Sequence, residues 1–554
     1  MKYTLSAKNP SNHFISIQIE CSLSNQDKLT IQLPAWRPGR YELANFAKNI
    51  KDFVVYDQNG NRLYAPKLNK DSWEVECKGA ASITIEYDYY ASELNAGSTW
   101  MDENQLYVNP VNCCVFVLGK ENEPCEIQLE IPNDYKVASS MKPLKNNLFM
   151  VADYQELADT PFIASNSLQH NSYESKGITF HVWFQGECKP NWNKLITDFQ
   201  KFTDYQIEVF NGFPVKEYHF MNQITSYRSY HGVEHQKSTV IQLGPSHKVF
   251  GASYLDFLGV SSHELYHTWN IKTIRPKEML PYDFTKENYS YLGYITEGVT
   301  SYMGDRVLYE SGVFEESQYF KEFETYLTRH FHNDGRKHMS VADSSWDTWL
   351  DGYVQGIPGR KTSIYTEGAL IAYICDMRIR KATNKQASLH EVMQQMYNLC
   401  SKGEGYTEAD YRNTLERISG ESFEDIFTKL IYGIEDFTPF IIEALKYEGW
   451  IFEAKPSNKE YENFGLKGTW KNGSFEISHV LEGSTAEKSG ILVSDCIHSI
   501  NGIRINNDFS EWLSYFQEDS ISLSLEREKR LKKIDLKPNN GNGFSKFKVF
   551  NQNK

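Results

Sequence analysis

At 554 residues the chain is long enough for about three or four domains around a large buried core, and 40% hydrophobic with 14% aromatic content is the composition of a globular protein. A net charge of -14 sets it against the phosphates of nucleic acids and anionic membranes, so neither is an expected partner. The nine cysteines include no CxxC spacing, which excludes a disulfide framework or a cysteine-held metal as the leading expectation.

In chain order, residues 1–168 read as β structure. Ile15, Ile17, Ile19, Cys21 and Leu23 alternate with Ser16, Gln18, Glu20 and Ser22. The same period recurs at Leu29-Ile31-Leu33, Ile83-Ile85-Tyr87-Tyr89 and Ile127-Leu129-Ile131, with turn signals such as Asn59-Gly60 between the runs. Short strands at that spacing predict a sandwich-like domain. No apolar signal core follows Met1 and no run reaches the ~18 residues of a membrane span, so a cytoplasmic location is expected. Pro34, Trp36, Pro38, Gly39 and Tyr41 make a rigid aromatic turn, and Cys113 and Cys114 are expected on opposite faces of a strand.

Residues 169–446 turn mainly helical after one more strand near 178–184. Trp192, Leu195, Ile196, Phe199 and Phe202 fall on one helical face, with Gly212 as the stop. A strand over 238–243 precedes the motif Ser261-Ser262-His263-Glu264-Leu265-Tyr266-His267. Ser388 with Glu391 predicts a capping box, and Thr407 a further helix cap. Residues 447–538 contain Gly483-Ser484-Thr485-Ala486 and Ile497-His498-Ser499-Ile500-Asn501-Gly502, which resemble the core of a PDZ domain, with Phe464-Gly465-Leu466 as its carboxylate loop. Residues 539–554 are expected to be a flexible polar tail.

The motif carries the chemistry. Side chains four apart on a helix point within roughly 40° of each other, so one face offers both His263 and His267 to a metal. Glu264 projects close enough to deprotonate a water there. A catalytic zinc takes three protein ligands and keeps one position open. Glu297, in Ile295-Thr296-Glu297-Gly298-Val299, is the candidate third ligand, 30 positions after His267. His330, His332 and His338 are the rival ligands, but their polar, glycine-containing segment reads as a surface loop; His231 and His235 are likewise placed on a loop.

Tyr230-His231-Gly232-Val233-Glu234-His235, then HExxH, then a distant Glu-Gly, resembles the gluzincin metallopeptidases. With the turn Leu33-Pro34-Ala35-Trp36-Arg37-Pro38-Gly39-Arg40-Tyr41 and the segment Ser363-Ile364-Tyr365-Thr366-Glu367-Gly368, the chain is similar to the glycyl aminopeptidase family over nearly its whole length. That resemblance implies a multidomain α+β protein: an N-terminal β domain, a thermolysin-like zinc peptidase domain and a PDZ domain. It implies one Zn2+ per chain on His263, His267 and Glu297, with Glu264 as base and Tyr365 as oxyanion donor. It also implies that Glu234, with Gly232 and His235, holds the free amine of a peptide with a small first residue such as glycine or alanine. Two positions depart from related families: Ser301 stands where some gluzincins carry a histidine-orienting aspartate, and His235 where larger aminopeptidases carry asparagine. A zinc endopeptidase on the same scaffold, or a PDZ-mediated peptide-binding protein with a vestigial metal site, are the alternatives.

Overall fold

Alternating apolar residues in the first 168 positions become edges and centres of sheets. A computed structural model describes every residue except 25, 355, 518, 553 and 554. Among the described residues a seven-stranded sheet runs Lys142–Pro143, Leu148–Val151, Cys125–Glu130, Lys2–Ser6, Phe14–Ser22, Ser82–Tyr90, Ile50–Asp57. Its registers pair Leu5 with Ile17 and Ile19 with Ile85, so the period-two apolar set shares one face. A smaller sheet of Ser72–Glu76, Lys28–Gln32 and Phe116–Val117 buries Ile31, Trp73 and Val75 into the same core. Cys113 closes a short helix, Pro110–Cys113, and Cys114 follows it, both buried; neither lies on a strand, because Pro110 presets the helical turn.

The part after residue 168 is built on a five-stranded sheet in the order Gln169–Ser175, Ile178–Gln185, Glu217–Ile224, Ser238–Gly244, Ser229–Glu234. The last strand is antiparallel to its neighbour and forms the edge. His231 therefore sits in a strand and not on a loop. The helix Trp192–Phe210 buries Leu195, Phe199 and Phe202, as its periodicity predicts, and stops at a left-handed Asn211, one residue before Gly212. Helices Tyr254–Tyr266, Thr300–Glu310 and Ile364–Ala382 stack behind the sheet edge; the predicted capping box of Ser388 with Glu391 forms, and the predicted cap Thr407 completes a box with Asp410. These parts make one compact unit, Met1–Glu315, Val341–Gln355 and Ser363–Gly433.

A second unit comprises Glu316–Ser340, Gly356–Thr362 and Ile434–Lys554. The helix Glu316–Phe331 belongs to it because Tyr319 and Phe320 cover Trp450. His330 lies on that helix, buried against the Phe437 ring, so the expected surface loop over 330–338 is helical at its start. Antiparallel strands Leu466–Lys471, Ser474–Val480, Cys496–Ile500, Ile521–Arg527 and Arg530–Leu536 follow in sheet order, with Ile503–Arg504 attached, over a core of Phe475, Ile497, Phe509 and Leu523. The tail is not wholly irregular: Lys546–Asn551 pairs antiparallel with Trp450–Lys455, burying Phe547 and Val549. No described helix is long and apolar enough to cross a membrane.

Candidate metal centre

The motif helix reaches its last turn at His263 and Glu264, and His267 is its capping residue. Its buried serines fix it from behind: Ser262 Oγ donates to Gly304 O (2.8 Å), and Gln206 Nε2 donates to Ser262 O (3.0 Å). A Cβ on Gly304 would lie 3.1 Å from His263 Cα, so the facing helix can come this close only with a bare backbone there.

Glu297 is carried on a single π-helical turn, Tyr294–Val299, that runs directly into the helix Thr300–Glu310. Such wide turns re-aim a side chain at functional sites. On its far side, Gly298 meets Gly368: a Cβ on Gly298 would be 2.3 Å from Gly368 Cα. This contact draws in the helix Ile364–Ala382, capped by Ser363 accepting from Thr366 N, and so positions Tyr365 at its first turn. Tyr365 and Tyr353 hydroxyls are 3.5 Å apart.

The three predicted ligands converge. His263 Nε2 and His267 Nε2 are 3.0 Å apart, and Glu297 Oε2 lies 3.4 Å from the second and 4.0 Å from the first. Zinc bonds of about 2.0–2.2 Å to nitrogen and oxygen put tetrahedral donor atoms roughly 3.2–3.5 Å apart, so this N/N/O set fits the ion. Charge agrees with geometry. Burial, then the neighbouring His267, push His263 well below the usual histidine range. Burial would lower His267 too, but the Glu297 carboxylate raises it to about 10. Burial raises Glu264 far above the usual carboxylate range; His267 opposes this, while Glu234 and Glu297 add to it. A buried pocket that holds facing imidazoles and several carboxylates calls for a cation.

Gly232, on the edge strand, lies against Glu264: a Cβ there would be 2.1 Å from Glu264 Oε1. Two positions on, Glu234 brings a carboxylate oxygen within 4.8 Å of donor atoms of both Glu264 and His267. Glu234 Oε1 and Glu264 Oε2 are buried and have no hydrogen-bond partner among the described residues. His235 is placed differently. Its Nδ1 is 3.1 Å from Asp159 Oδ1, which also accepts from Lys272 Nζ at 2.6 Å.

Comparison with known proteins follows this geometry. The model of the peptidase M61 N-terminal domain matches residues 2–166, and that of M61 glycyl aminopeptidase matches residues 256–371, together about half of the chain. The chain belongs to the M61 glycyl aminopeptidase family. Its fold is similar to a crystal structure of an aminopeptidase N family protein from Idiomarina loihiensis, at TM-score 0.93 and 25% identity, over 100% of this chain and 98% of that one. It also resembles the M1 zinc metallopeptidase of Deinococcus radiodurans, solved alone and as a mutant bound to a Tyr-Ser-Ala substrate, at TM-score 0.50 and 11% identity, over 78% of this chain and 94% of that one. No curated protein matches.

In this M61 protein three residues near the centre escaped the sequence reading. Arg37 and Gly39 come from the aromatic turn of the β domain: a Cβ on Gly39 would be 2.5 Å from Glu234 Oε2, and the buried Arg37 guanidinium feels the Glu234 charge. The turn was visible in the sequence, but nothing in it said what the turn would touch. Tyr353, whose hydroxyl is 3.5 Å from both Gly39 O and Tyr365 Oη, carried no sequence signal at all.

Proposed function

We propose that this M61 protein is a zinc aminopeptidase that releases N-terminal residues, with glycine or alanine preferred, from peptides. The observation that carries the reading is the Glu234 carboxylate: buried, unpartnered at Oε1, and beside the base instead of out in solvent. A buried carboxylate oxygen left without a hydrogen bond is costly even with the Arg37 charge nearby, and a peptide's ammonium arriving there offsets that cost while setting the first peptide bond over the base.

His263, His267 and Glu297 would hold one zinc, which when bound lowers the pKa of a water to about 7 and polarises the scissile carbonyl. Glu264, seated by Gly232, takes the proton of the attacking water and returns it to the leaving amine. Tyr365 donates its hydroxyl to the developing oxyanion; burial, and then the Glu297 charge, hold the phenol protonated. The β domain, taken as residues 1–168, walls the amine site through Gly39.

We further propose that residues 447–538 form a PDZ domain that takes a peptide C-terminus at Phe464-Gly465-Leu466. Gly465 has φ +88° and its carbonyl accepts from Leu481 N, which turns the loop beside the strand Leu466–Lys471.

The test is metal analysis with a panel of free and N-acetylated peptides. Wild type, Glu264→Gln and Glu234→Gln should all bind one zinc, with Glu264→Gln losing roughly 100- to 10,000-fold in kcat. Glu234→Gln should lose its preference for free over acetylated peptides. Equal cleavage of acetylated and free peptides by the wild type would replace the aminopeptidase with an endopeptidase.

A further inference from the structure

The segment just after the motif helix, Thr268-Trp269-Asn270-Ile271-Lys272, belongs neither to the three ligands nor to the base. The chain folds back tightly there: Lys272 N donates to His267 O (3.1 Å) and Ile274 N to Trp269 O (2.7 Å). Ile271 has φ +102°, a conformation that a β-branched residue adopts only under strain. Something must hold it.

Asn270 is fully buried and bonds in two directions. Its backbone carbonyl accepts from His267 Nδ1 at 2.8 Å, which fixes the ring so that Nε2 faces His263 and Glu297. Its side-chain Nδ2 donates across to the segment that carries Glu297: 2.9 Å to Ile295 O, 3.0 Å to Thr300 Oγ1 and 3.4 Å to Thr296 O. One residue therefore grips the second histidine ligand through its backbone and the glutamate-bearing turn through its side chain.

We propose that Asn270 is a positioning residue, the clasp that sets the two ligand-bearing segments in register so that His267 and Glu297 reach one cation together. The inference rests on the zinc reading above. An isosteric aspartate would turn a carboxylate oxygen toward two carbonyls, and alanine would remove the amide's bonds to Ile295 O, Thr296 O and Thr300 Oγ1.

The experiment measures zinc affinity of the full chain by chelator competition, with the visible spectrum of the cobalt-substituted protein, for wild type, Asn270→Asp, Asn270→Ala and Thr300→Val. Loss of groups that orient a metal ligand typically weakens binding about 10- to 100-fold, and that is the expected rise in zinc Kd for both Asn270 variants, with an altered cobalt spectrum. Thr300→Val removes one acceptor of the amide together with the bond from Thr300 Oγ1 to Thr296 O (2.8 Å), and should weaken zinc by roughly 3-fold. Should the Asn270 variants fail to fold, Thr300→Val alone decides. An unchanged Kd and cobalt spectrum, even with a lower melting temperature of the metal-free variant, would overturn the proposal and leave Asn270 a structural residue. A wild type that binds no zinc would instead overturn the zinc reading, and the two failures are distinct.

Discussion

Gly232 and Glu264 face each other across the edge strand and the motif helix, and neither can change without moving the other. The Cβ of an alanine at 232 would sit 2.1 Å from Glu264 Oε1, so the carboxylate must shift. A base misplaced by about 1 Å commonly costs on the order of 100-fold in rate. Gly232→Ala should therefore lose kcat by about that factor while its zinc content stays at one per chain; a fully active variant would mean that Glu264 is not the base. Tyr365→Phe should cost roughly 100- to 1000-fold in kcat, with KM little changed, if its hydroxyl is offered only to the oxyanion. Gly232 drew attention in the sequence as part of a substrate motif. The structure gives it a steric reason that no spacing could express, since Glu264 is 32 positions away.

The ligand set depends on how three helices approach each other. Gly298 and Gly368 let the π-helical turn and the helix Ile364–Ala382 touch backbone to backbone, which places Glu297 and Tyr365 around one point. Gly298→Ala would drive a methyl to within 2.3 Å of Gly368 Cα, and overpacking of this kind destabilises by about 1–3 kcal/mol. A lower melting temperature together with substoichiometric zinc is expected; normal zinc content would show that Glu297 does not depend on this contact. At this scale the sequence was informative where periodicity is strong: the alternating strands, the helix Trp192–Phe210, the Ser388–Glu391 capping box and the Thr407 cap are legible in it. It failed where pattern and environment disagree. The edge strand Ser229–Glu234 is polar and glycine-containing because it borders the site, so it reads as a loop. His330 is polar yet buried in a helix, and the strand Lys546–Asn551 lies inside a tail whose composition suggested none.

Contacts that join distant stretches of the first unit are the least legible, because only folding brings them together. Asp159 is the clearest example. It follows the β domain's last helix, Tyr154–Ala158, and accepts from Lys272 Nζ and Gln236 N while bonding His235, more than 75 positions onward. The charge of buried Lys272 and the bond from His235 outweigh burial of Asp159 and hold its carboxyl well below the usual carboxylate range. The sign of the pH effect follows. A carboxylate with a depressed folded pKa stabilises the protein above its unfolded pKa of about 3.9, and that stability drains away as pH falls further toward the folded value. Replacing Asp159 by asparagine leaves Lys272 buried without its counter-charge, at a cost of about 3–5 kcal/mol near neutral pH. Melting curves from about pH 7 down to about pH 3 should then show a large deficit for Asp159→Asn near neutrality that narrows below about pH 4, as the wild type loses the contribution the variant never had. Two parallel curves would mean that Asp159 is not charged and paired in the folded protein. Because His235 and Gln236 sit directly after Glu234, the proposed amine site, the same variant should also raise KM for free peptides more than it lowers kcat, as the turn that ends the strand Ser229–Glu234 loosens.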